Sequence, residues 1–262
     1  MLPASGFRRL TRVGTILCAV VIILPLVAMV LFSLSGHVEA IPSEWTTKWY
    51  TFNSSDVLAS ILHSLEISVP AVAIALLVAM PLSFAMARWE FGGKRLINQM
   101  ILLPMLLPGT ALGLALIELY NTGFLSKIPA LAFLIAAHVV IVLPVIARPV
   151  IAALEQMDAE LETASMSLGA SPARTVRKIT VPVIFPTVVV GSIFGLARSI
   201  TDFAITLFLV PVGFLPMSIE IYNSTNYSIP QLTSANAVIL LAMSLLVVGI
   251  GEVVARRVSR GG

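Results

Sequence analysis

Cysteine and charge are the two things this chain has least of. Its one thiol, Cys18, lies inside an apolar run, so no disulfide framework can form and no compartment can be read from thiols. Only 11% of the 262 residues are charged against 58% hydrophobic, which excludes an ordinary soluble domain. Nucleotide chemistry is missing as well. The nearest glycine–lysine run, Gly92, Gly93, Lys94 and Arg95, has neither the spacing nor the hydroxyl that phosphate and magnesium binding need. His37, His63 and His138 are scattered, and no His-Glu-x-x-His or Cys/His cluster offers metal ligands. The chain is therefore expected to carry no cofactor, no metal and no means of hydrolysing ATP by itself. The small net charge of +3 argues little for nucleic acid, because the basic residues sit at the edges of apolar runs.

What fills the chain is membrane-length hydrophobic sequence. A helical span needs roughly 20 apolar residues. Six stretches meet that: 13–34, 62–87, 96–119, 128–151, 183–210 and 235–255. The first follows Arg8, Arg9 and Arg12 as a secretory signal would, but it is too long for that and five more spans come after it, so an uncleaved anchor is expected. With the N-terminus in the cytoplasm, the basic residues at 8, 9, 12, 88, 94, 95, 148, 174, 177, 178, 256, 257 and 260 all fall on the cytoplasmic side, and only Lys48 and Lys127 fall outside. An even number of spans satisfies the positive-inside rule and places both termini in the cytoplasm. The expected fold is an all-α, multi-pass integral membrane protein, one membrane domain over 1–262, with no internal repeat or flexible linker.

The longest polar interruption with helical grammar is 155–182, EQMDAELETASMSLGASPARTVRKITVP. Nothing from Glu155 to Leu168 breaks a helix, Gly169 stands where a glycine ends one, and Ser171-Pro172 reads as an N-cap followed by a first helical residue. A second helix would carry Arg174, Arg177 and Lys178 on one side, with Pro182 leading into the next apolar run. A solvated charged loop would have the same composition. A cornered, capped pair with small surface residues is better suited to docking in a groove.

This segment resembles the cytoplasmic loop of ABC importer permeases, which reads Glu-Ala-Ala, three residues, Gly, nine residues, Ile, one residue, Leu-Pro. Thr163, Ala164, Ser165, Gly169, Ile179, Val181 and Pro182 occupy those positions, and the Leu-Gly-Ala-Ser-Pro run containing Ala170 and Ser171 is similar to the family's own. Thr163 stands where the family has Glu, with Glu162 one residue earlier. The run LLPGTALGLAL in the third span, and Leu215, Pro216, Ile221 and Tyr222 after the fifth, resemble the spermidine/putrescine branch. The resemblance implies a permease subunit in the bacterial inner membrane, binding-protein-dependent, forming half of a translocation path. It also implies partners: an ATPase subunit dimer that binds ATP and Mg and is coupled through 155–182, a second homologous permease (heterodimer before homodimer), an extracytoplasmic solute-binding protein, and membrane lipid. Polyamines are the first solute expected; aminoethylphosphonate, iron or another small solute is the alternative.

Further features are open at this level. Arg198 and Asp202, one turn apart inside the fifth span, are either a mutually neutralising pair or positions on the solute path, and at a helix centre each would cost roughly 2.5–3.5 kcal/mol unpaired. Pro70, Pro81, Pro104 and Pro108 interrupt the second and third spans, which points to helices packed inside a bundle. Gly109 with Gly113, and Gly191 with Gly195, are spaced for close helix approach, within the chain in preference to a partner. Outside, Trp45, Trp49 and Tyr50 near Pro42 read as interface anchors, and the stretch bracketed by Pro211, Pro216 and Pro230 as an element lying at the outer interface. Two other classes fit less well. A secondary transporter would use the proline-broken spans but gives no reason for the cornered hairpin. An intramembrane protease would need more than Ser192 and His138.

Overall fold

A computed structural model describes residues 4–37, 44–51, 54–227 and 229–261; Pro42, and the side chains of Arg8, Arg9, Arg256, Arg257 and Arg260, lie outside the described ones. Twelve α-helices follow in order: α1 Ala4–Ser33, α2 Lys48–Thr51, α3 Ser54–Arg88, α4 Lys94–Leu106, α5 Gly109–Tyr120, α6 Ala130–Gln156, α7 Ala159–Ser167, α8 Pro172–Thr175, α9 Val181–Ile200, α10 Ala204–Leu209, α11 Met217–Ser224 and α12 Pro230–Gly261. Among the described residues no strand forms, only an isolated bridge between Ser35 and Trp45. Among the described residues five helical stretches are long and apolar enough to cross a membrane, six if α4 and α5 are one span.

That bent pair corrects the straight third span expected at 96–119. α4 and α5 meet at 107°. Pro108 forces its predecessor out of the helical region, so Leu107 is extended (φ −81°, ψ 143°), and α5 restarts at Gly109. The fifth span differs too. It does not run 183–210 but ends at Ile200, breaks over Thr201–Phe203 and resumes as α10. No Gly or Pro marks that break; a side chain makes it, as shown below. Pro70 and Pro81, by contrast, lie within a continuous α3.

The described residues group into two compact units, one comprising those up to 58 with 220–241, the other 59–219 with 242–261. In the first, the chain after α1 turns back on itself. Gly36 N donates to Glu44 O at 2.9 Å and Thr46 N to Leu34 O at 2.9 Å, while Trp49 Nε1 donates to Ser35 O at 2.8 Å and the hydroxyls of Tyr50 and Ser33 bond at 2.7 Å. Two of the three aromatics thus hold the end of α1, and Trp45 is left exposed. Glu220 is buried in this unit; burial first, and the Asp56 carboxylate second, raise its pKa above the ordinary value. An acid with a raised folded-state pKa destabilises as pH climbs past its unfolded value. Glu220→Gln is therefore expected to raise the thermal midpoint at pH 7 and to leave it unchanged near pH 4, measured by detergent-solubilised thermal unfolding at both pH values.

The core of the second unit is built on α6, whose Leu134, Val142, Ile146 and Leu154 are fully buried. α9 reaches it through small residues. A Cβ on Gly195 would stand 2.9 Å from Val142 Cγ1, and one on Gly191 3.3 Å from Ile146 Cα. Likewise a Cβ on Gly109 would lie 2.9 Å from Ala204 Cβ, and one on Gly113 2.7 Å from Phe208 Cδ2, which brings α5 onto α10. In an apolar solvent close backbone approach replaces the hydrophobic effect as the source of helix association. Both glycine pairs serve contacts within the chain.

Candidate functional site

The polar hairpin forms, but with a different first arm. α6 ends at Gln156, Met157 is extended, and α7 begins only at Ala159. The uninterrupted Glu155–Leu168 helix is broken because Asp158 is a stronger cap than an interior residue: its carboxylate accepts from Glu160 N–H at 2.9 Å. The corner itself is as the residues dictate. Gly169 has φ +89°, its N–H bonds to Met166 O at 2.9 Å and Ala170 N–H to Ser165 O at 3.2 Å, the two bonds of a Schellman turn. Ser171 Oγ then accepts from Arg174 N–H at 3.4 Å, with Pro172 in the first turn.

The second arm does not stop at Pro182. α8 continues through a π-helical turn, Val176–Thr180, straight into α9. Pro182 supplies no N–H and would crowd the carbonyl of Lys178, and the wider turn just before it relieves that conflict.

Two side-chain hydrogen bonds lock the arms together, and an ion pair ties them to α3. Glu162 Oε1 accepts from Thr180 Oγ1 at 2.7 Å and from Arg88 Nη2 at 3.2 Å, tying both arms to the end of α3. Ser165 and Thr175 hydroxyls bond at 3.0 Å. Thr163 and Ala164 face outward, as do Arg174, Arg177 and Lys178, while Ile179 is half-buried. Leu168 stands 90% exposed at the corner, the most solvent-exposed leucine of the hairpin, and Leu161 and Met166 are exposed on the same arm. Beside the hairpin a cleft of about 300 Å³ is lined by Phe84, Arg88, Trp89, Met166 and Val176. Arg88, Thr175 and Thr180 were not singled out from the sequence. Arg88 lies 74 residues from Glu162, and nothing local announces the pair.

The second constellation lies where α9 stops. Arg198 Nη1 donates to Asp202 Oδ1 at 2.9 Å. Asp202 is 3% exposed, and its Oδ2 accepts from the N–H groups of Ile205 at 3.0 Å and Thr206 at 3.2 Å. The carboxylate thus caps α10 and causes the break in the fifth span. Its backbone carbonyl accepts from Thr206 Oγ1 at 3.0 Å and Ser218 Oγ at 2.8 Å. His138, buried on α6, bonds Ser199 Oγ at 2.7 Å through Nδ1 and Thr206 Oγ1 at 3.1 Å through Nε2, so both ring nitrogens are engaged in packing. Ser192, the other half of a hypothetical nucleophile–base pair, donates to Val188 O at 2.6 Å on its own helix. Arg198 differs from Asp202: its side chain is 43% exposed, beside the α4–α5 bend.

The described residues thus form an all-helical protein with five or six apolar spans and a capped polar hairpin between two of them, the architecture of a multi-pass membrane protein. The sequence model for the binding-protein-dependent transport system inner membrane component matches residues 67–260. The chain belongs to that family, the permeases of ABC importers, and is a multi-pass protein of the bacterial inner membrane. It is 27% identical over 224 residues to the spermidine/putrescine transport system permease protein PotC of Escherichia coli strain K12, covering 83% of this chain and 82% of that one. To PhnV of Salmonella paratyphi A, named as a candidate 2-aminoethylphosphonate transport system permease protein, it is 26% identical over 251 residues, covering 95% and 94%. Its fold is that of a chain in a crystal structure of a bacterial alginate ABC transporter in complex with a periplasmic protein carrying an alginate pentasaccharide, with TM-score 0.75, 15% identity and 96% of each chain covered.

Proposed function

We propose that this chain forms one half of the translocation path of an importer and that the 155–182 hairpin couples it to an ATPase. The observation carrying this reading is the hairpin's construction. Capped at Asp158 and Ser171 and closed by a Schellman turn at Gly169, it is locked by Glu162 to Thr180 and Arg88 and exposes Leu168 at its corner. A rigid element that offers exposed apolar and basic side chains in a polar segment is built to be gripped. A flexible loop would yield to a push; a body tied into α3 and continuous with α9 transmits it. In this reading Ala164 allows close approach and Arg174, Arg177 and Lys178 meet acidic residues of the partner, while Thr163 takes the outward place and Glu162 turns inward as a strut.

The termini and the hairpin lie in the cytoplasm, the whole chain acting as one membrane domain. ATP and Mg belong to an ATPase dimer beneath it, a second homologous permease supplies the other half of the path, and a soluble binding protein delivers solute on the far side. A heterodimer is favoured over a homodimer. The solutes named for PotC and PhnV share an aliphatic amine, so the solute class proposed is a small organic amine.

A mild-detergent pull-down of the tagged chain tests this directly. The expected outcome is co-purification of a soluble ATPase and a second permease. A chain that purifies alone and still transports when reconstituted would return the reading to a secondary transporter.

A further inference from the structure

The ion pair at the end of α9 is lopsided, and the imbalance bears on the solute. Asp202 is buried, and both of its oxygens are committed: one to Arg198, the other to two backbone N–H groups of α10. Arg198 spends one N–H on that bond. The rest of its guanidinium, on a side chain 43% exposed, borders a cavity of about 170 Å³ at the α4–α5 bend, with Met105, Leu107, Gly109, Val145 and Ile205 among its walls. Among the described residues no acidic side chain lines that cavity. Glu66, Glu118 and Glu252, the other acids within the apolar stretches, are exposed on α3, α5 and α12 and do not line it. The polar group presented there is thus a cation with spare donors, set among apolar walls. α5 opens at Gly109 in the same wall, and its dipole adds partial charge of the same sign.

We infer that this cavity is an anion subsite on the solute path, in which Arg198 receives a carboxylate or phosphonate group through its planar fork of donors. The inference rests on the importer reading above and narrows it: the solute carries an anionic head together with its amine, and a polycation such as putrescine is excluded. Three physical points carry it. Ionisable residues inside spans are expensive and mark solute pathways. A guanidinium matches a two-oxygen or three-oxygen anion bidentately, which an ammonium cannot do. At roughly 30 Å³ per water in the liquid, a cavity of this size takes a head group of a few heavy atoms and not a whole extended solute. A polyamine entering it would meet a guanidinium with no carboxylate free to offset it.

The test reads the cavity's charge preference without assuming a solute. In a Cys18→Ser background of the full importer, Val145→Cys places a thiol on the wall, and its labelling by a negatively charged methanethiosulfonate is compared with that by a positively charged one of similar size. The anionic reagent is expected to react at least severalfold faster relative to a free thiol in solution, and Arg198→Gln to abolish that preference. Equal rates, a faster cationic reagent, no labelling by either, or a preference that survives Arg198→Gln overturns the inference. Uptake by the same importer supplies the second arm. Labelled 2-aminoethylphosphonate should enter with a KM raised at least tenfold and a little-changed maximal rate in Arg198→Lys, which keeps the bond to Asp202 but loses the fork. Uptake of labelled putrescine by the wild type, or an Arg198→Lys variant with unaltered KM, would sink it. Loss of the co-purifying ATPase would instead sink the importer reading and leave the labelling result standing.

Discussion

Gly169→Asp is expected to cut solute uptake more than tenfold while the chain still inserts in the membrane at normal abundance. Gly169 adopts φ +89°, a conformation that costs an ordinary L-residue about 1–2 kcal/mol. Space is not the obstacle, since an added Cβ would meet nothing within 4 Å. Asp tolerates the left-handed region better than most residues, so the larger harm is a charged side chain on the corner next to Leu168. Gly169→Ala separates the two effects by adding strain without charge, and only a few-fold loss is expected from it. The measurement is uptake in cells alongside ATP hydrolysis by the purified assembly: Gly169→Asp should leave hydrolysis uncoupled from solute or release the ATPase altogether. Wild-type uptake in the Asp variant would remove the hairpin from the mechanism.

Asp202→Ala is expected to fail for a different reason, loss of fold. The carboxylate caps α10 and holds Arg198, and its removal leaves the N–H groups of Ile205 and Thr206 without their acceptor at a buried break. A lost cap costs about 0.5–2 kcal/mol. Buried bonds to a charged group contribute about 1.5–3 kcal/mol each, discounted here on the Arg198 side because that side chain is 43% exposed. A total of roughly 2–4 kcal/mol is a large share of a protein's margin. Membrane abundance and thermal midpoint should therefore fall together with uptake. Asp202→Asn keeps an acceptor oxygen and should recover part of the stability. If Asp202→Ala stayed abundant and stable but did not transport, the carboxylate would belong to the solute path and not to the α10 cap.

Much of the hairpin was legible because its signals are local. A glycine with positive φ, a serine before a proline and a run of small residues need no distant partner to act, and the corner at Gly169 with its Ser171 cap follows from them. The first arm was misjudged because a single Asp in a helix-compatible run competes with the helix only when the chain can turn there, as it does at Met157. The two other corrections have one cause. Hydropathy counts apolar residues along the chain and is blind to direction, so it reads through the 107° bend at Leu107 and the break at Thr201–Phe203.

By itself the sequence determined the membrane class, the approximate positions of the apolar spans and the family, because composition, run length and a spaced motif are properties of the chain in order. The tertiary structure alone decided which polar groups are struts and which remain available. Glu162 is joined to Arg88 across 74 residues, His138 to Ser199 and Thr206 across 61 and 68, and of the Arg198–Asp202 pair only the arginine reaches a cavity. Inside an apolar solvent every polar group must find a partner, and which partner it finds depends on how helices distant in sequence pack, not on the residues beside it.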